Sequence, residues 1–152
     1  MTNVQIRRIF QCGPSGGVGG REFEQEVSQA DGRVVEVRVR SQTFIDQIDV
    51  IIENANGQHR SVGKEGGEGG QTRPTLALAA DEYITAVRGR YGNVVDSLEI
   101  VTNKRTESYG GTGGGATYSY VAPPGTEICG FVGRAATVID AIGVLIRPRA
   151  GT

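Results

Sequence analysis

Three short glycine-rich clusters recur along the chain and constrain its fold more than any other feature. Glycine accounts for 24 of the 152 residues, and much of it lies in GGVGG (16–20), GGEGG (66–70) and GGTGG (110–114). An Asp that leads into an apolar segment follows the last Gly of each cluster by 26 residues, and an Arg precedes each Asp by six. The shared register predicts a threefold internal repeat of about 45–50 residues, within the size range of repeat architectures. The Arg and Asp of each repeat are Arg40 and Asp46, Arg90 and Asp96, and Arg134 and Asp140.

The segments between the clusters have the composition and spacing of short β-strands. Stretches such as VVEVRVR (34–40) and DSLEIVT (96–102) alternate apolar and polar residues and are bounded by Gly, Asn or Pro. No helical period is sustained over a window of about 11 residues. We therefore predict an all-β chain with about four strands in each repeat, about twelve in total. Residues 1–152 are expected to form one domain, with repeats near 16–65, 66–109, and 110–152 together with 1–15.

Charge and hydropathy exclude several classes of partner. The chain has 16 Lys and Arg against 17 Asp and Glu, a net charge of −1, which argues against a nucleic-acid binder with a basic face and against a membrane-surface binder. The sequence has no apolar stretch of membrane-spanning length and no visible signal peptide, so membrane insertion is not expected. We expect a cytoplasmic location or release without a classical signal peptide.

The residues that usually carry catalysis or bind metals are scarce. Cys12 and Cys129 are too few for a disulfide scaffold or a zinc site; two buried thiols are the favoured interpretation, and a single bridge remains open. His59 is the only histidine, and it lies in a polar run that predicts a turn. No acid–base pair, nucleophile–base pair or metal cluster emerges. We therefore expect no enzyme activity, no metal and no cofactor.

Taken together, the repeated glycines and aspartates suggest a ligand rich in hydroxyl groups. Glycine pairs commonly serve only as turns, but a loop without side chains also exposes backbone N–H donors. A carboxylate beside those donors provides acceptors, and the combination matches a neutral vicinal diol, because each hydroxyl both donates and accepts. A phosphate would be repelled by the carboxylate. The pattern therefore favours sugars over nucleotides.

At this point the sequence resembles the jacalin-related lectins, which have the β-prism I fold. The resemblance covers nearly the whole chain and is strongest in GFVGR…IDAIGV. It implies three four-stranded Greek-key sheets in a triangular prism with pseudo-threefold symmetry, in agreement with the repeat above. The motifs that carry it are GPSGGVGGREF (13–23), EGGEGG (65–70), DEYITAVRGRYGNVVDSLEIVTNKR (81–105), YGGTGG (109–114) and ICGFVGRAATVIDAIGVLI (128–146).

In this family the sugar lies between a Gly-rich loop and a loop of pattern GxxxD. The resemblance implies a primary site in which the Gly20 N–H donates to O3 or O4 of the sugar and the Thr137 and Val138 N–H groups donate to O5 and O6. Asp140 would accept from the O4 and O6 hydroxyls. The same register implies up to two further sites. Their residues are Gly70, Thr43, Phe44 and Asp46 in one, and Gly114, Asn93, Val94 and Asp96 in the other.

Two departures from the family pattern bear on these sites. The first Gly of GxxxD is present only at Gly92 and is replaced by Gln42 and Ala136 in the other loops. If this position requires a left-handed backbone, either replacement costs on the order of 1 kcal/mol and reshapes the loop. That expectation favours the Asp96 and Asp140 sites over the Asp46 site. It also motivates an alternative function, a protein-interaction or structural module that has lost sugar binding.

Further expectations concern the ligand, the assembly and the residues beside the loops. Galactose-selective members are cleaved at the first glycine loop, whereas this chain continues through GGVGG, so glycans containing mannose or glucose are expected. We expect a homodimer or higher oligomer formed through free strand edges. The repeated arginines are predicted to bind backbone carbonyls or an acid rather than sugar. Phe44, Tyr91 and Tyr109 adjoin the loops and are candidates either for stacking on a sugar or for packing in the core.

Overall fold

A computed structural model describes residues 8–28 and 31–149, and within those ranges it contains thirteen β-strands and no helix. The all-β prediction is therefore confirmed. The described ranges therefore contain no helix that could cross a membrane. The strands are β1 (Phe10–Gly16), β2 (Arg21–Glu24), β3 (Val34–Ser41), β4 (Ile45–Glu53), β5 (His59–Gly66), β6 (Gln71–Thr72), β7 (Leu76–Ala77), β8 (Ile84–Tyr91), β9 (Ser97–Thr102), β10 (Thr106–Gly110), β11 (Ala116–Val121), β12 (Thr126–Ala135) and β13 (Ile139–Pro148).

The strands form three antiparallel sheets with the same spatial order. The first sheet is β2-β12-β13-β1, the second is β11-β8-β9-β10, and the third is β3-β4-β5 with the short β6 and β7 both beside β3. The first two sheets are joined by a single residue pair, Ile128 with Ile84. In the second and third sheets, three consecutive strands are followed by one that returns beside the first, the Greek-key order. The first sheet has this order too, but it is assembled from both ends of the chain.

The fourth strand of the third sheet is divided, which explains why thirteen strands are present rather than about twelve. Pro74 lies between β6 and β7. Proline has no N–H group and cannot donate to the neighbouring strand, so regular pairing is interrupted there. The Arg73 N–H still donates to the Val39 carbonyl at 3.0 Å, and pairing with β3 resumes where Leu76 faces Val37.

The core lies between the three sheets and is filled by aliphatic side chains. In β9 every second residue is buried, as the period-2 pattern predicts for a sheet with one face toward a core. The central strands β4, β12 and β13 are buried along most of their length. Ile48, Phe131 and Ile142, which lie on these three strands, are at most 1 % exposed.

Three hairpin turns meet at one end of the molecule and place the aspartates there. They join β3 to β4, β8 to β9, and β12 to β13. The Ile45 N–H donates to the Val95 carbonyl at 3.0 Å, and the Val95 N–H donates to the Ile139 carbonyl at 2.9 Å. All three side chains are fully buried. Backbone hydrogen bonds between sheets therefore hold the turns around a common centre, with Asp46, Asp96 and Asp140 directly after these residues.

The isolated Cys and His residues take no part in this end of the molecule. Cys12 and Cys129 are free thiols; Cys129 is buried, which raises its pKa to about 12, while Cys12 is only half-buried. His59 was predicted to lie in a turn, but it begins β5 and pairs with Glu53 at the far end of β4. The turn comes just before it, where the Gly57 N–H donates to the Asn54 carbonyl.

Gln25 connects the first and third sheets through a buried side-chain amide that both donates and accepts a hydrogen bond. Its side chain is 1 % exposed. Its Nε2 donates to the Gly63 carbonyl at 2.7 Å, and its Oε1 accepts from the Phe131 N–H at 2.8 Å. Gly63 lies on β5 and Phe131 lies on β12, so a single side chain bonds to both sheets.

We expect Gln25→Ala to lower the free energy of unfolding by about 2–4 kcal/mol, because it leaves a buried carbonyl and a buried N–H without partners and creates a cavity. Urea unfolding measures this change. The matched control is Gln58→Ala, since Gln58 is exposed. Equal stability of the two variants would contradict the assignment.

Candidate functional site

Each of the three aspartates lies directly beneath the glycine-rich loop with which it was predicted to pair. A Cβ atom placed on Gly19 would lie 2.7 Å from Asp140 Oδ1, and one placed on Gly20 would lie 2.6 Å from Asp140 Oδ2. Gly113 and Gly114 enclose Asp96 in the same way, with corresponding distances of 2.9 and 2.8 Å. Gly69 and Gly70 enclose Asp46. A side chain at any of these glycines would displace the carboxylate.

These groupings define three candidate sites at one end of the prism. The structure brings together all twelve residues predicted for them, four in each site. Site I contains Gly20, Thr137, Val138 and Asp140; site II contains Gly70, Thr43, Phe44 and Asp46; site III contains Gly114, Asn93, Val94 and Asp96.

The three sites share the same backbone frame. In site I the Gly17 N–H donates to the Asp140 carbonyl at 2.9 Å, and the Ala136 N–H donates to the Val138 carbonyl at 3.1 Å. Sites II and III repeat both bonds at distances of 2.9–3.1 Å. The first bond fixes the glycine loop to the start of the Asp-bearing strand, and the second closes the turn before it. The repeated bonds are Gly67 to Asp46, Gly111 to Asp96, Gln42 to Phe44 and Gly92 to Val94.

The expectation that Gln42 and Ala136 strain their turns is wrong. Across residues 8–28 and 31–149, every positive φ belongs to a glycine, and Gly92 is not among them. A Cβ on Gly92 would meet nothing closer than 4.0 Å. The position therefore accepts an ordinary side chain, and the site II turn is not reshaped. The left-handed position is the last glycine of each cluster, with φ of 69° at Gly20, 63° at Gly70 and 93° at Gly114.

Backbone N–H donors in each site point away from the protein's own acceptors. No described residue accepts a hydrogen bond from the N–H of Gly20, Thr137 or Val138. The same holds, within the described ranges, for the corresponding groups of sites II and III. Gly20 and Thr137 are exposed and Val138 is half-buried. Each site therefore has three N–H groups available to a ligand.

The three carboxylates are buried acceptors to which the described residues donate no hydrogen bond. Asp140, Asp46 and Asp96 are 9 %, 8 % and 7 % exposed, and no described side chain or backbone group donates a hydrogen bond to them. Asp140 Oδ2 is fully buried without a partner in the described part of the chain. Burial raises the pKa of Asp140 and of Asp46, an effect partly offset by the positive charges of Arg134 and Arg40. An unsatisfied carboxylate in this setting gains from any hydroxyl donor that reaches it.

The repeated arginines hold the glycine loops, as predicted. Arg134 donates to the Gly19 and Gly20 carbonyls, both at 2.9 Å. Arg90 donates to the Gly114 carbonyl through two nitrogens, at 3.1 and 2.7 Å. Arg40 donates to the carbonyls of residues 68–70. Each guanidinium thus fixes its loop through backbone carbonyls, while the N–H of the last glycine of the cluster has no described acceptor.

The aromatic candidates divide between the core and the surface. Tyr109 is only 8 % exposed and packs in the core, and Tyr91 is half-buried with its ring 6.3 Å from that of Tyr118. Phe44 is 38 % exposed at site II and remains available for stacking. Sequence reasoning missed the central residue of each GGxGG cluster. These residues are exposed and chemically different: Val18 in site I, Glu68 in site II and Thr112 in site III.

The opposite end of the molecule contains a cavity of about 410 Å³, lined by charged residues near the start of β3 and the end of β13. Its buried charges bond to protein partners. Arg147 bonds to Glu127 at 3.2 Å, and Arg105 bonds to Glu82 at 3.0 Å. These pairs stabilise that end of the fold, and the ligand-directed donors and acceptors lie at the loop end.

Comparison with known proteins agrees with this geometry. The family model of the jacalin-like lectin domain matches residues 12–145. The chain belongs to the jacalin-like lectin family. Horcolin from Hordeum vulgare subsp. vulgare is 37% identical over 149 residues, which covers 94% of this chain and 100% of that protein. A mannose/glucose-specific lectin from Parkia pendula is 29% identical over 155 residues, covering 95% of this chain and 33% of that protein.

Structures of family members superpose closely on this lectin domain. A mannose-binding jacalin-related lectin from Ananas comosus has a TM-score of 0.81 at 26% identity, covering 93% of this chain and 99% of that chain. Wild-type Malaysian banana lectin has a TM-score of 0.80 at 29% identity, covering 92% and 99%. The predicted β-prism fold and membership of the jacalin-related lectins are therefore confirmed.

We expect Arg134→Ala to raise the pKa of Asp140 further, because it removes the positive charge that partly offsets burial. A carbon-detected NMR titration of the Asp140 carboxyl group measures the change. Arg88→Ala is the control, since Arg88 pairs with Glu99 on the side of the second sheet. An unchanged or lowered Asp140 pKa in Arg134→Ala would show that the guanidinium does not act on this carboxylate.

Proposed function

We propose that this lectin domain binds mannose- or glucose-type glycans without catalysis, through up to three sites. One observation, repeated three times, carries the proposal. A buried carboxylate that accepts no hydrogen bond from described residues lies beside three N–H groups that have no described acceptor. A sugar hydroxyl donates and accepts at the same oxygen, so neighbouring hydroxyls can satisfy both sets at once.

In site I the sugar is proposed to lie across Gly20 and the turn before Asp140. The Gly20 N–H donates to O3 or O4, and the Thr137 and Val138 N–H groups donate to O5 and O6. Asp140 accepts from the O4 and O6 hydroxyls, and these bonds are strong because the acceptor is charged. Recognition thus depends mainly on backbone donors and one carboxylate, and sites II and III repeat this arrangement.

The chemistry of the sites also favours a neutral ligand. A carboxylate at the centre of each site repels phosphate and sulfate groups, although the N–H donors alone would suit an anion. Arg134 is engaged with loop carbonyls, so it is positioned to support the loop rather than to neutralise an anion. The Ananas comosus and Parkia pendula relatives are named for mannose or mannose/glucose binding, which supports the same sugar class here.

The proposal extends to all three sites because their frames match. The finding that Gln42 and Ala136 need no left-handed backbone removes the reason for doubting site II and for preferring an interaction module. Three weak sites at one end of the prism would gain affinity for branched glycans by multivalent attachment. Each set contains a single ionisable side chain, an arrangement suited to binding rather than to acid–base catalysis.

We expect the triple variant Asp46→Asn, Asp96→Asn, Asp140→Asn to lose binding of methyl α-mannoside, because the amide replaces one of the two acceptor oxygens with an NH₂ donor and removes the negative charge. Each single variant should remove about one site of the total stoichiometry measured by isothermal titration calorimetry. Asp81→Asn is the matched control, since this exposed Asp pairs with Lys104 at the opposite end. Full binding by the folded triple variant, or none by the unaltered protein, would refute the proposal.

We expect mannoside affinity at sites I and II to fall at a higher pH than it would if the aspartates had the ordinary Asp pKa. Burial places the pKa of Asp140 and Asp46 above the usual 3.8, and protonation removes the acceptor. The raised pKa has the opposite effect on folding: these ionised groups oppose folding, and that penalty shrinks as the pH falls from the folded-state pKa toward the ordinary value of the unfolded chain. Binding should therefore be lost before the fold.

Calorimetry from pH 7 down to about pH 4, with circular dichroism at each step, measures both effects. Use of the double variant Asp46→Asn, Asp96→Asn restricts the titration to site I. An affinity that stays constant until the ordinary Asp range is reached would contradict the pKa assignment.

A further inference from the structure

The second glycine of each cluster contacts a site other than its own. A Cβ atom on Gly67 would lie 2.5 Å from the carbonyl oxygen of Thr137, and one on Gly111 would lie 2.5 Å from the carbonyl oxygen of Thr43. Gly17 packs even more tightly against the Asn93 carbonyl oxygen. None of these three glycines has a positive φ. The backbone conformation therefore does not require glycine at these positions, whereas the close approach of a neighbouring carbonyl does.

These contacts form a closed ring around the end of the prism. Gly17 belongs to the loop of site I and touches the turn of site III. Gly111 belongs to site III and touches the turn of site II. Gly67 belongs to site II and touches the turn of site I. Each site therefore supports one neighbour and is supported by the other.

The contacted carbonyl belongs to the same peptide unit as a proposed sugar-binding donor. The Asn93 carbonyl and the Val94 N–H are parts of one planar group, as are those of Thr137 with Val138 and of Thr43 with Phe44. In a trans peptide the carbonyl and the N–H point in opposite directions. A glycine packed against the oxygen therefore supports the peptide from behind and fixes the direction in which its N–H points.

Each supporting glycine is also bonded to the carboxylate-bearing residue of its own site. The Gly17, Gly67 and Gly111 N–H groups donate to the backbone carbonyls of Asp140, Asp46 and Asp96, each at 2.9 Å. One glycine residue thus lies between the start of the Asp strand in one site and the donor peptide of the next.

We propose that Gly17, Gly67 and Gly111 are positioning residues that act across the prism, each setting the N–H donor of the neighbouring site. Gly17 sets the Val94 donor of site III, Gly111 sets the Phe44 donor of site II, and Gly67 sets the Val138 donor of site I. The three sites are mechanically linked in one direction around the ring. This inference rests on the proposed function for its effect on binding, but not for its effect on backbone geometry.

The geometric claim is tested without ligand. Gly17→Ala should shift the amide resonances of Asn93 and Val94 in a ¹H–¹⁵N spectrum, although these residues are remote in sequence. Gly67→Ala is the matched comparison, because it introduces the same methyl group in the same motif and should displace the Thr137 and Val138 amides instead. A folded Gly17→Ala protein with unmoved Asn93 and Val94 amides would overturn the proposal.

The effect on binding is tested with one site active at a time. In the Asp46→Asn, Asp140→Asn background, which retains site III, Gly17→Ala should weaken methyl α-mannoside binding about fivefold, equivalent to the loss of one neutral hydrogen bond. In the Asp46→Asn, Asp96→Asn background, which retains site I, Gly67→Ala should have the same effect. A general loss of stability would weaken both sites with either glycine variant and would overturn the proposal. The ring instead predicts that Gly17→Ala weakens site III and that Gly67→Ala weakens site I.

A further measurement covers the case in which the glycine variants fail to fold. With site I alone active, saturation with methyl α-mannoside should shift the Gly67 amide resonance. The sugar accepts a hydrogen bond from the Val138 N–H, which belongs to the peptide that Gly67 contacts. An unmoved Gly67 amide at saturation would overturn the proposal. If the unaltered protein does not bind mannoside but Gly17→Ala still moves the Asn93 and Val94 amides, the proposed function fails and the positioning role stands.

Discussion

The organisation of this end of the molecule depends on the close approach of glycine backbone to buried carboxylate. Gly19 and Gly20 enclose Asp140 so tightly that a Cβ atom on either would meet a carboxylate oxygen. The protein encloses the charge but donates no hydrogen bond to it from the described residues. Such a group is costly in isolation. The positive charge of Arg134 partly offsets that cost.

The same frame is built three times, but its surroundings differ. Backbone bonds and glycine conformations repeat almost unchanged, since they are set by sheet geometry and by the absence of side chains. The exposed residues at the loop tips do not repeat, and they range from apolar Val18 to acidic Glu68 to hydroxyl-bearing Thr112. The three sites therefore share one backbone frame but present different side chains at their edges.

The sequence was most informative where residues recur in register. The spacing of glycine, arginine and aspartate predicted the threefold repeat, and period-2 alternation predicted strands such as β9. The resemblance to a known family supplied the pairing of each glycine loop with its aspartate. Local patterns were less reliable at boundaries. Pro74 divides a strand because it cannot donate to β3. His59 begins a strand where a turn was expected, because its pairing with Glu53 rather than local composition fixes that end.

By itself the sequence determined the all-β class and the threefold repeat of glycine, arginine and aspartate, because these follow from side-chain periodicity and spacing; the resemblance to the lectin family supplied the candidate donor residues. Only the tertiary structure decided that Gln42 and Ala136 adopt ordinary backbone angles, that Tyr109 is buried while Phe44 is exposed, and that the three sites touch in a ring. The physical reason is that these properties arise between repeats. Gly17 and Asn93 meet because the turns converge on a shared centre, and no local sequence signal encodes a contact between segments so far apart in the chain.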